Sequence, residues 1–290
     1  MGSSYTNTKR KHVHSSKTSE SRIRLNRLIY LGAIGLSLAA IATIVSFIRA
    51  GDDAIVGIEL PYGSLAELTE PEAFTQAYLS VNCNATLLKS TQTIRVSGHM
   101  VNGDNHQAFT LIKKRPDRML FTVDRGSHDM TFGVSDDTVW RRIRAPQHED
   151  IFALIEGEEA EAWLGQRRFF DRIISASQGE GSLTAIEAAD WKGADCLKVS
   201  TRDTDGAAVD ILIDPQTMYP IAELELLEDG TIKQTVFSDY RDINGMPMPF
   251  NMVSSVEGKP ESHIQLNNAA LNTGVLSKLF DVPESLLAEE

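Results

Sequence analysis

Histidines, acidic pairs and cysteines are the side chains of this 290-residue chain that could carry acid–base, nucleophilic or metal chemistry. The chain contains no His-Glu-x-x-His zinc motif, no Gly-x-Ser-x-Gly nucleophile elbow, no phosphate-binding glycine loop and no dinucleotide-binding fingerprint. Adjacent acids such as Glu158–Glu159 and Glu289–Glu290 are typical of solvated helices and tails. Five of the seven histidines fall in unrelated contexts: His99, His106, His128, His148 and His263. We therefore expect no enzyme, no catalytic residue, no metal and no cofactor.

The two cysteines, Cys83 and Cys196, lie far apart in the sequence, and neither has a metal-ligand spacing. Outside the cytoplasm they could form a disulfide. Buried free thiols agree equally well with two cysteines in a chain of this size. The sequence leaves both alternatives open.

Charge is divided unevenly along the chain. Of the 28 Lys/Arg residues eight lie in residues 1–49, but of the 40 acidic residues only one does, so this part carries about +7 and the remainder about −19. The acidic remainder argues against a protein that tracks nucleic-acid phosphates. Residues 1–27, rich in Ser, Thr, Lys and Arg, are predicted to be a disordered basic arm in the cytoplasm.

Residues 28–48 contain no charged side chain. As a helix they would span ~31 Å, about the thickness of one hydrocarbon core. Seven Lys/Arg precede the segment, while Asp52 and Asp53 follow it, so the positive-inside rule places the N-terminus in the cytoplasm. A cleaved signal peptide is the alternative, but its apolar core is usually about 7–15 residues long. We predict an uncleaved signal-anchor helix, followed by a linker at 49–68.

The remaining chain, 69–290, is predicted to form one mainly β (α+β) domain. Residues 69–82 have the pattern of a helix that Thr69 caps. About eleven strands follow in hairpin succession, and the clearest alternation sets Ala222, Leu224 and Leu226 against Glu223 and Glu225. Residues 147–178 interrupt the strands with a helical pattern broken near Gly157 and Gly165. Because strand twist accumulates, we expect a curled antiparallel sheet that forms an incomplete barrel with covering helices.

Three stretches of the domain resemble the LolA/LolB-like lipoprotein-carrier superfamily. "FSDYRDINGMPMP", residues 237–249, is similar to the family pattern F-x-D-Y-R-x-I-N-G-x-x-x-P. "KKRPDRML", residues 113–120, resembles the basic corner between its second and third strands. "LNTGVLSKLFDVPES", residues 271–285, is similar to the family's ending. The resemblance covers residues 70–285.

The resemblance implies an incomplete β-barrel of about eleven strands whose helices close an apolar cavity for lipid or lipoprotein acyl chains in the periplasm. The predicted anchor distinguishes this chain from soluble carriers. It implies a single-pass protein of the inner (cytoplasmic) membrane, with its C-terminal domain in the periplasm. A related periplasmic sensor family, the RseB-like regulators, shares this fold. The alternative is therefore a tethered sensor or assembly subunit that binds an envelope protein.

Candidate ligand-binding residues come from the apolar side of each alternating strand and from the resemblance. A dry core packed on the helices is the alternative for the apolar set, and a solvated turn is the alternative for the arginines that flank Pro116. Acidic or bulky residues filling the interior would favour a protein partner over a lipid. The set is Ile94, Val96, Met100, Phe109, Leu111, Arg115, Arg118, Phe121, Met130, Phe132, Leu224 and Leu226.

Overall fold

Thirteen antiparallel strands form one sheet in the computed structural model, which describes residues 60–103 and 105–287. The strands are β1 Thr93–Asn102, β2 Asn105–Lys114, β3 Arg118–Asp124, β4 Asp129–Ser135, β5 Thr138–Arg144, β6 Ile151–Ile155, β7 Ser182–Trp191, β8 Ala194–Arg202, β9 Ala208–Ile213, β10 Pro220–Leu226, β11 Ile232–Ile243, β12 Met246–Val256 and β13 Lys259–Leu271. The expected count of about eleven was too low, but the curled antiparallel architecture is confirmed.

The strand order is β6-β5-β4-β3-β2-β1-β13-β12-β11-β10-β9-β8-β7. Two meanders, β1–β6 and β7–β13, are therefore joined side by side through the first and last strands. Ile94 pairs with Leu271 in this central ladder. β6 and β7 do not pair with each other, so the sheet curls without closing.

Short turns connect the strands, as the sequence predicts. Asn244 and Gly245 have positive φ angles of 56° and 89° and form the two-residue turn between β11 and β12. Residues with positive φ match the twist of a tight hairpin. Asp242 Oδ1 accepts a hydrogen bond of 3.1 Å from the Gly245 N–H and supports the turn.

Five α-helices and two short 3₁₀ helices lie within the described residues. They are α1 Pro71–Asn82, α2 Ala85–Ser90, α3 Gly157–Gly165, α4 Arg172–Ser177 and α5 Glu284–Leu287, with 3₁₀ turns at Glu67–Thr69 and Ser277–Leu279. α1 confirms the helix predicted at 69–82. The prediction that Thr69 caps it is wrong, because Glu70 is the N-cap and the Thr69 hydroxyl donates to the Ala66 carbonyl instead.

The helical pattern predicted for residues 147–178 is correct only in its second part. Ile151–Ile155 is strand β6, which pairs with β5. A short continuous apolar run has no periodicity by which a strand could be distinguished from a buried helix. Here the edge of β5 supplies the backbone hydrogen-bond partners that make this run a strand. Gly157 and Gly165 mark the two ends of α3, as the predicted breaks indicate.

The concave face of the sheet is the face on which α1, α3 and α4 pack. Phe74 and Tyr78 of α1 and Ile173 of α4 contact inward side chains of β8 and β9. Trp163 of α3 contacts inward side chains of β3–β6. A third group lies between them on β1, β2, β12 and β13, here called the central apolar cluster: Val96, Met100, Phe109, Phe250 and Leu266.

A C-terminal strap, residues 272–287, crosses the opposite, convex face. Its Phe280 is fully buried, and the Phe280 carbonyl accepts a hydrogen bond of 3.3 Å from Trp140 Nε1 of β5. Trp140 lies flat on Gly133 of β4, where an added Cβ would come within 2.1 Å of the indole ring. Only glycine at position 133 therefore lets the indole reach the strap.

Both cysteines are buried free thiols. Cys83 belongs to the core around α1, whereas Cys196 packs on the convex face with Leu212 and Ala222. Burial raises the pKa of each thiol to about 11, so both are protonated at neutral pH.

The predicted basic arm (1–27), the predicted anchor (28–48) and residues 49–59 of the predicted linker lie outside the described residues. No helix within 60–103 and 105–287 has the length and apolar character to cross a membrane. The described end of the predicted linker packs on the domain, since Leu68 is fully buried in the core around α1.

Candidate functional site

A cavity of about 240 Å³ lies between the concave face and helices α1 and α4. It is smaller than a typical small-molecule site of about 300–1,000 Å³ and is partly open to solvent. Most of its lining is apolar or aromatic: Tyr78, Asn82, Ile94, Phe169, Phe170, Asp171, Ile174, Pro220, Glu223, Phe237, Tyr240, Met246, Pro247, Met248 and Pro249. The cavity therefore suits part of an apolar ligand with very few polar groups.

The hairpin β11–β12 supplies one wall of this cavity. Tyr240 comes directly after Asp239, whose positive φ of 54° interrupts the extended backbone of β11. The Tyr240 ring stacks on Tyr219 at a centroid distance of 4.5 Å, and its hydroxyl donates a 2.8 Å hydrogen bond to the Pro220 carbonyl. The stretch that carries the family-like pattern, residues 237–249, thus supplies six of the fifteen residues that line the cavity.

Helix α4 is tied to α1 at the mouth of the cavity. Asp171 caps α4, because its Oδ1 accepts a 2.8 Å hydrogen bond from the Ile174 N–H. Its other carboxylate oxygen accepts a 3.1 Å hydrogen bond from the Tyr78 hydroxyl. Asp171 is itself exposed, so it marks the open side of the cavity. This contact holds the N-terminus of α4 over the concave face.

Glu223 is the one acidic side chain on the cavity wall that lacks a direct partner among the described residues. Burial raises its pKa to about 7, and the carboxylates of Asp171 and Glu225 add to the rise. Arg172 and Arg168 oppose it without forming a salt bridge to Glu223. The side chain is therefore about half ionised near neutral pH.

A charged cluster lies beside the cavity. Arg168 and Arg172 both bind the carboxylate of Asp203, whose side chain is 8% exposed. Lys233 of β11 forms a 3.3 Å salt bridge with Glu261 of β13, across the intervening strand β12. Burial also raises the pKa of Glu225, whereas Lys233 lowers it.

The loop that carries Phe169 and Phe170 is also attached to β2. The ammonium of Lys113 donates a hydrogen bond to the Arg168 carbonyl. Burial, together with the nearby Arg168 guanidinium, lowers the Lys113 pKa to about 8. The ion pairs of Arg168 and Arg172 and this Lys113 contact hold both phenylalanines against the cavity.

Eight of the predicted apolar residues lie on the concave face. Ile94 lines the cavity, and Val96, Met100 and Phe109 form part of the central apolar cluster. The remaining four, Leu111, Phe121, Met130 and Phe132, belong to the group around Trp163. Trp163 stacks on Phe132 at a centroid distance of 4.3 Å, so this half of the concave face is filled by α3.

The structure places Leu224 and Leu226 on the convex face, contrary to the face predicted for them. Glu223 pairs with Ile211, and Ile211 packs against α1 in the concave core. Residues directly opposite in a ladder share a face, so Leu224 projects the other way and packs near Cys196. The acidic side of β10 is therefore the concave side.

The two predicted arginines have different positions. The Arg115 guanidinium lies 4.8 Å from the ring centre of Phe170 and 5.3 Å from that of Phe169, next to the cavity wall. Arg118 faces the convex side, where it binds Asp281 of the strap at 3.1 Å. Arg118 therefore lies away from the cavity.

Sequence reasoning missed Glu223, Asp171, Tyr78 and Tyr240 as cavity residues. One signal was available, because β9 is apolar at successive positions, as in Ile211, Leu212 and Ile213. Strands of this kind are covered on both faces. Their neighbour β10 can then place its acidic side towards the helices.

Histidine and acidic side chains also meet in a polar depression of about 500 Å³ near the β3–β4 turn. His128 and His148 line it together with Asp150, which is bound by Arg144. Within the described part of the chain, no group of three or more His, Cys, Asp or Glu side chains could hold a metal ion.

Glu223→Gln is expected to stabilise the protein more at pH 8 than at pH 4. The folded-state pKa of about 7 lies above the ordinary 4.5, so wild-type stability falls as pH rises from about 4.5 to about 7. The gain at pH 8 should be about 1–3 kcal/mol, after allowance for the water that reaches the carboxylate. Urea unfolding at both pH values measures it. Glu158→Gln at an exposed position of α3 is the control, and an equal gain for Glu223→Gln at both pH values would contradict the assignment.

No protein-family model matches the chain, and no curated protein matches it. Solved structures with a similar fold include a DUF1329 family protein from Desulfovibrio piger, at 13% identity and a TM-score of 0.49, covering 71% of this chain and 97% of that one. A LolA superfamily protein, NE2245 from Nitrosomonas europaea, is similar at 11% identity and a TM-score of 0.46, covering 73% and 99%.

The MucA/MucB complex of Pseudomonas aeruginosa contains a further similar chain, at 11% identity and a TM-score of 0.28, covering 73% of this chain and 60% of that one. At these identities and TM-scores the similarities assign neither a family nor a role to this chain. The function must be inferred from the cavity and its residues.

Proposed function

We propose that this chain is an inner-membrane-anchored periplasmic protein that binds lipid or lipoprotein acyl chains in the cavity on its concave face. The observation that carries the proposal is the mainly apolar cavity of about 240 Å³ between the sheet and helices α1 and α4. The proposed activity is binding, without chemical turnover.

The cavity borders the central apolar cluster. Ile94 and Met248 line the cavity and also contact that cluster. At about 30 Å³ per water-sized group, the cavity accepts roughly eight methylene groups. Each buried methylene contributes about 0.8 kcal/mol, and Met side chains adapt to chains of different shape. A longer acyl chain would extend from the cavity along the central cluster.

The anchor belongs to the same proposal. A helix at 28–48 would keep the domain at the inner membrane, where acylated molecules are available, and the acidic body would face the periplasm. A protein held in this way would receive or present an acyl chain locally, whereas a soluble carrier would transport it.

Native mass spectrometry of the full chain, purified from membranes and followed by lipid extraction, tests acyl-chain binding. We expect co-purified lipid in the wild type and its loss in Met248→Glu, which places a charge on the cavity wall. Val253→Glu on the same strand is the matched control, because Val253 is 38% exposed and pairs with Val236 of the convex group. Lipid retained by Met248→Glu, or lost equally from both variants, would refute the assignment to this cavity.

A tethered sensor or assembly subunit that binds an envelope protein is the second candidate. Trp163 fills one half of the concave face, and Asp171 and Glu223 bring acidic groups to the other half. Bulky and acidic interior residues favour a protein partner. A lipid-free mass of the wild type, with no uptake of added acylated peptide, would favour this candidate over acyl binding.

A further inference from the structure

The polar atoms around the cavity can accept hydrogen bonds, but their donors are already used. The hydroxyl hydrogens of Tyr78 and Tyr240 are donated to Asp171 and to the Pro220 carbonyl. The Asn82 amide nitrogen donates to the carbonyls of Tyr78 and Met218, at 3.2 and 2.8 Å. An amide has two N–H groups, so both are occupied.

Proline removes further donors from the same wall. Pro220, Pro247 and Pro249 line the cavity, and proline has no backbone N–H. What remains for a ligand are acceptor oxygens, chiefly those of Glu223 in its ionised form, which has no hydrogen bond or salt bridge among the described residues. A ligand that complements this wall must donate hydrogen bonds or carry positive charge.

Five aromatic rings share the cavity with this carboxylate. Tyr78, Phe169, Phe170, Phe237 and Tyr240 all line the cavity. Arg115 places its guanidinium over Phe169 and Phe170, 5.3 and 4.8 Å from the ring centres, so these two rings already serve a cation of the protein, and Tyr78, Phe237 and Tyr240 remain for a ligand cation. Aromatic side chains with a carboxylate are the combination that recognises organic ammonium groups.

We propose that the cavity binds an organic ammonium, a protonated amine on a hydrocarbon chain, with the nitrogen at Glu223 and the carbons against the aromatic and methionine side chains. This inference rests on the proposed function, because it names the head-group class of the amphiphile that enters the same cavity. Carboxylate and phosphate head groups fit the Glu223 end poorly, since they would meet its ionised carboxylate, and the side-chain donors of Tyr78, Tyr240 and Asn82 are occupied.

The charged groups that face Glu223 determine how far its carboxyl group is ionised, and the ammonium binds the ionised form. Asp171 at the start of α4 and Glu225 on the same strand add negative charge, and Arg168 and Arg172 add positive charge. Both arginines are already bound to Asp203. Ionisation of Glu223 near neutral pH should therefore make ammonium binding tighter at pH 8 than at pH 6.

Isothermal titration calorimetry of the full chain in phosphatidylglycerol nanodiscs tests the inference with n-hexylammonium, 1-hexanol and hexanoate. These probes share one chain and differ in the head group. We expect the wild type to bind hexylammonium at least about tenfold more tightly than hexanol, and hexanoate most weakly. Glu223→Gln should lose this preference while it keeps its affinity for hexanol.

Glu228→Gln is the matched control, because it removes the same charge from an exposed residue just after β10 that does not line the cavity. It should retain the preference for hexylammonium. Its net charge equals that of Glu223→Gln, so the nonspecific binding of hexylammonium to the discs is the same for both variants. Equal affinities of the wild type for hexylammonium and hexanol would overturn the ammonium inference but leave apolar binding intact. Failure of all three probes to bind would overturn the ammonium inference and the proposed function together.

Discussion

Replacing Trp163 with alanine is expected to lower the free energy of unfolding by about 3–5 kcal/mol. Trp163 is 5% exposed and is the buried residue of α3 that packs against strands β3–β6. The centre of its ring lies 4.3 Å from that of Phe132, on which it stacks, and 5.7 Å from that of Phe121. Its removal therefore leaves a cavity that the strands cannot fill. Equilibrium unfolding in urea, monitored by circular dichroism, measures the loss.

An exposed residue of the same helix provides the control. Glu161→Ala removes a side chain that makes no described contact with the sheet and should change stability by less than about 0.5 kcal/mol. A loss below about 1 kcal/mol for Trp163→Ala would contradict the packing of α3 on the concave face. It would indicate instead that this half of the face is open to a ligand.

Asp203→Asn is expected to destabilise the protein by about 3 kcal/mol. Asp203 binds Arg168 and Arg172 and is 8% exposed on its side chain, so the asparagine keeps the shape but leaves two neighbouring guanidinium groups without their carboxylate. Release of Arg168 should also loosen Phe169 and Phe170 at the cavity. Urea unfolding measures the first effect, and hexanol affinity measures the second.

Asp137→Asn is the comparison for the charge effect alone. Asp137 binds Arg167 at 3.0 Å, but its side chain is 91% exposed, so loss of this ion pair should cost at most about 0.5 kcal/mol. If the two variants lost equal stability, the Asp203 cluster would have no special role in holding the loop.

Local patterns predicted much of the sheet correctly. The Asn244–Gly245 turn, the alternation of β1 and the amphipathic face of α1 each depend on residues that are close in sequence. Turn geometry and the two-residue strand period act over a few residues, so they can be recognised without the fold. β6 was not recognised, because its apolar run becomes a strand only through pairing with β5.

The candidate site was less predictable. Of the twelve predicted ligand-binding residues, Ile94 lines the cavity and Arg115 lies next to its wall. Leu224 and Leu226 belong to the opposite face, although their alternation with Glu223 and Glu225 is the clearest in the chain. Alternation separates two faces but does not say which one a distant helix covers.

By itself, the sequence determined a curled antiparallel sheet with hairpin connections, because strand period and turn residues act locally. Tertiary structure decided three further features: the pairing of β1 with β13, the strap over Trp140, and the position of Glu223 in a cavity capped by α4. Each of these brings together segments that are far apart in the chain. The physical reason is that the burial and charge of a side chain depend on what covers it, and here the cover comes from helices encoded elsewhere in the sequence.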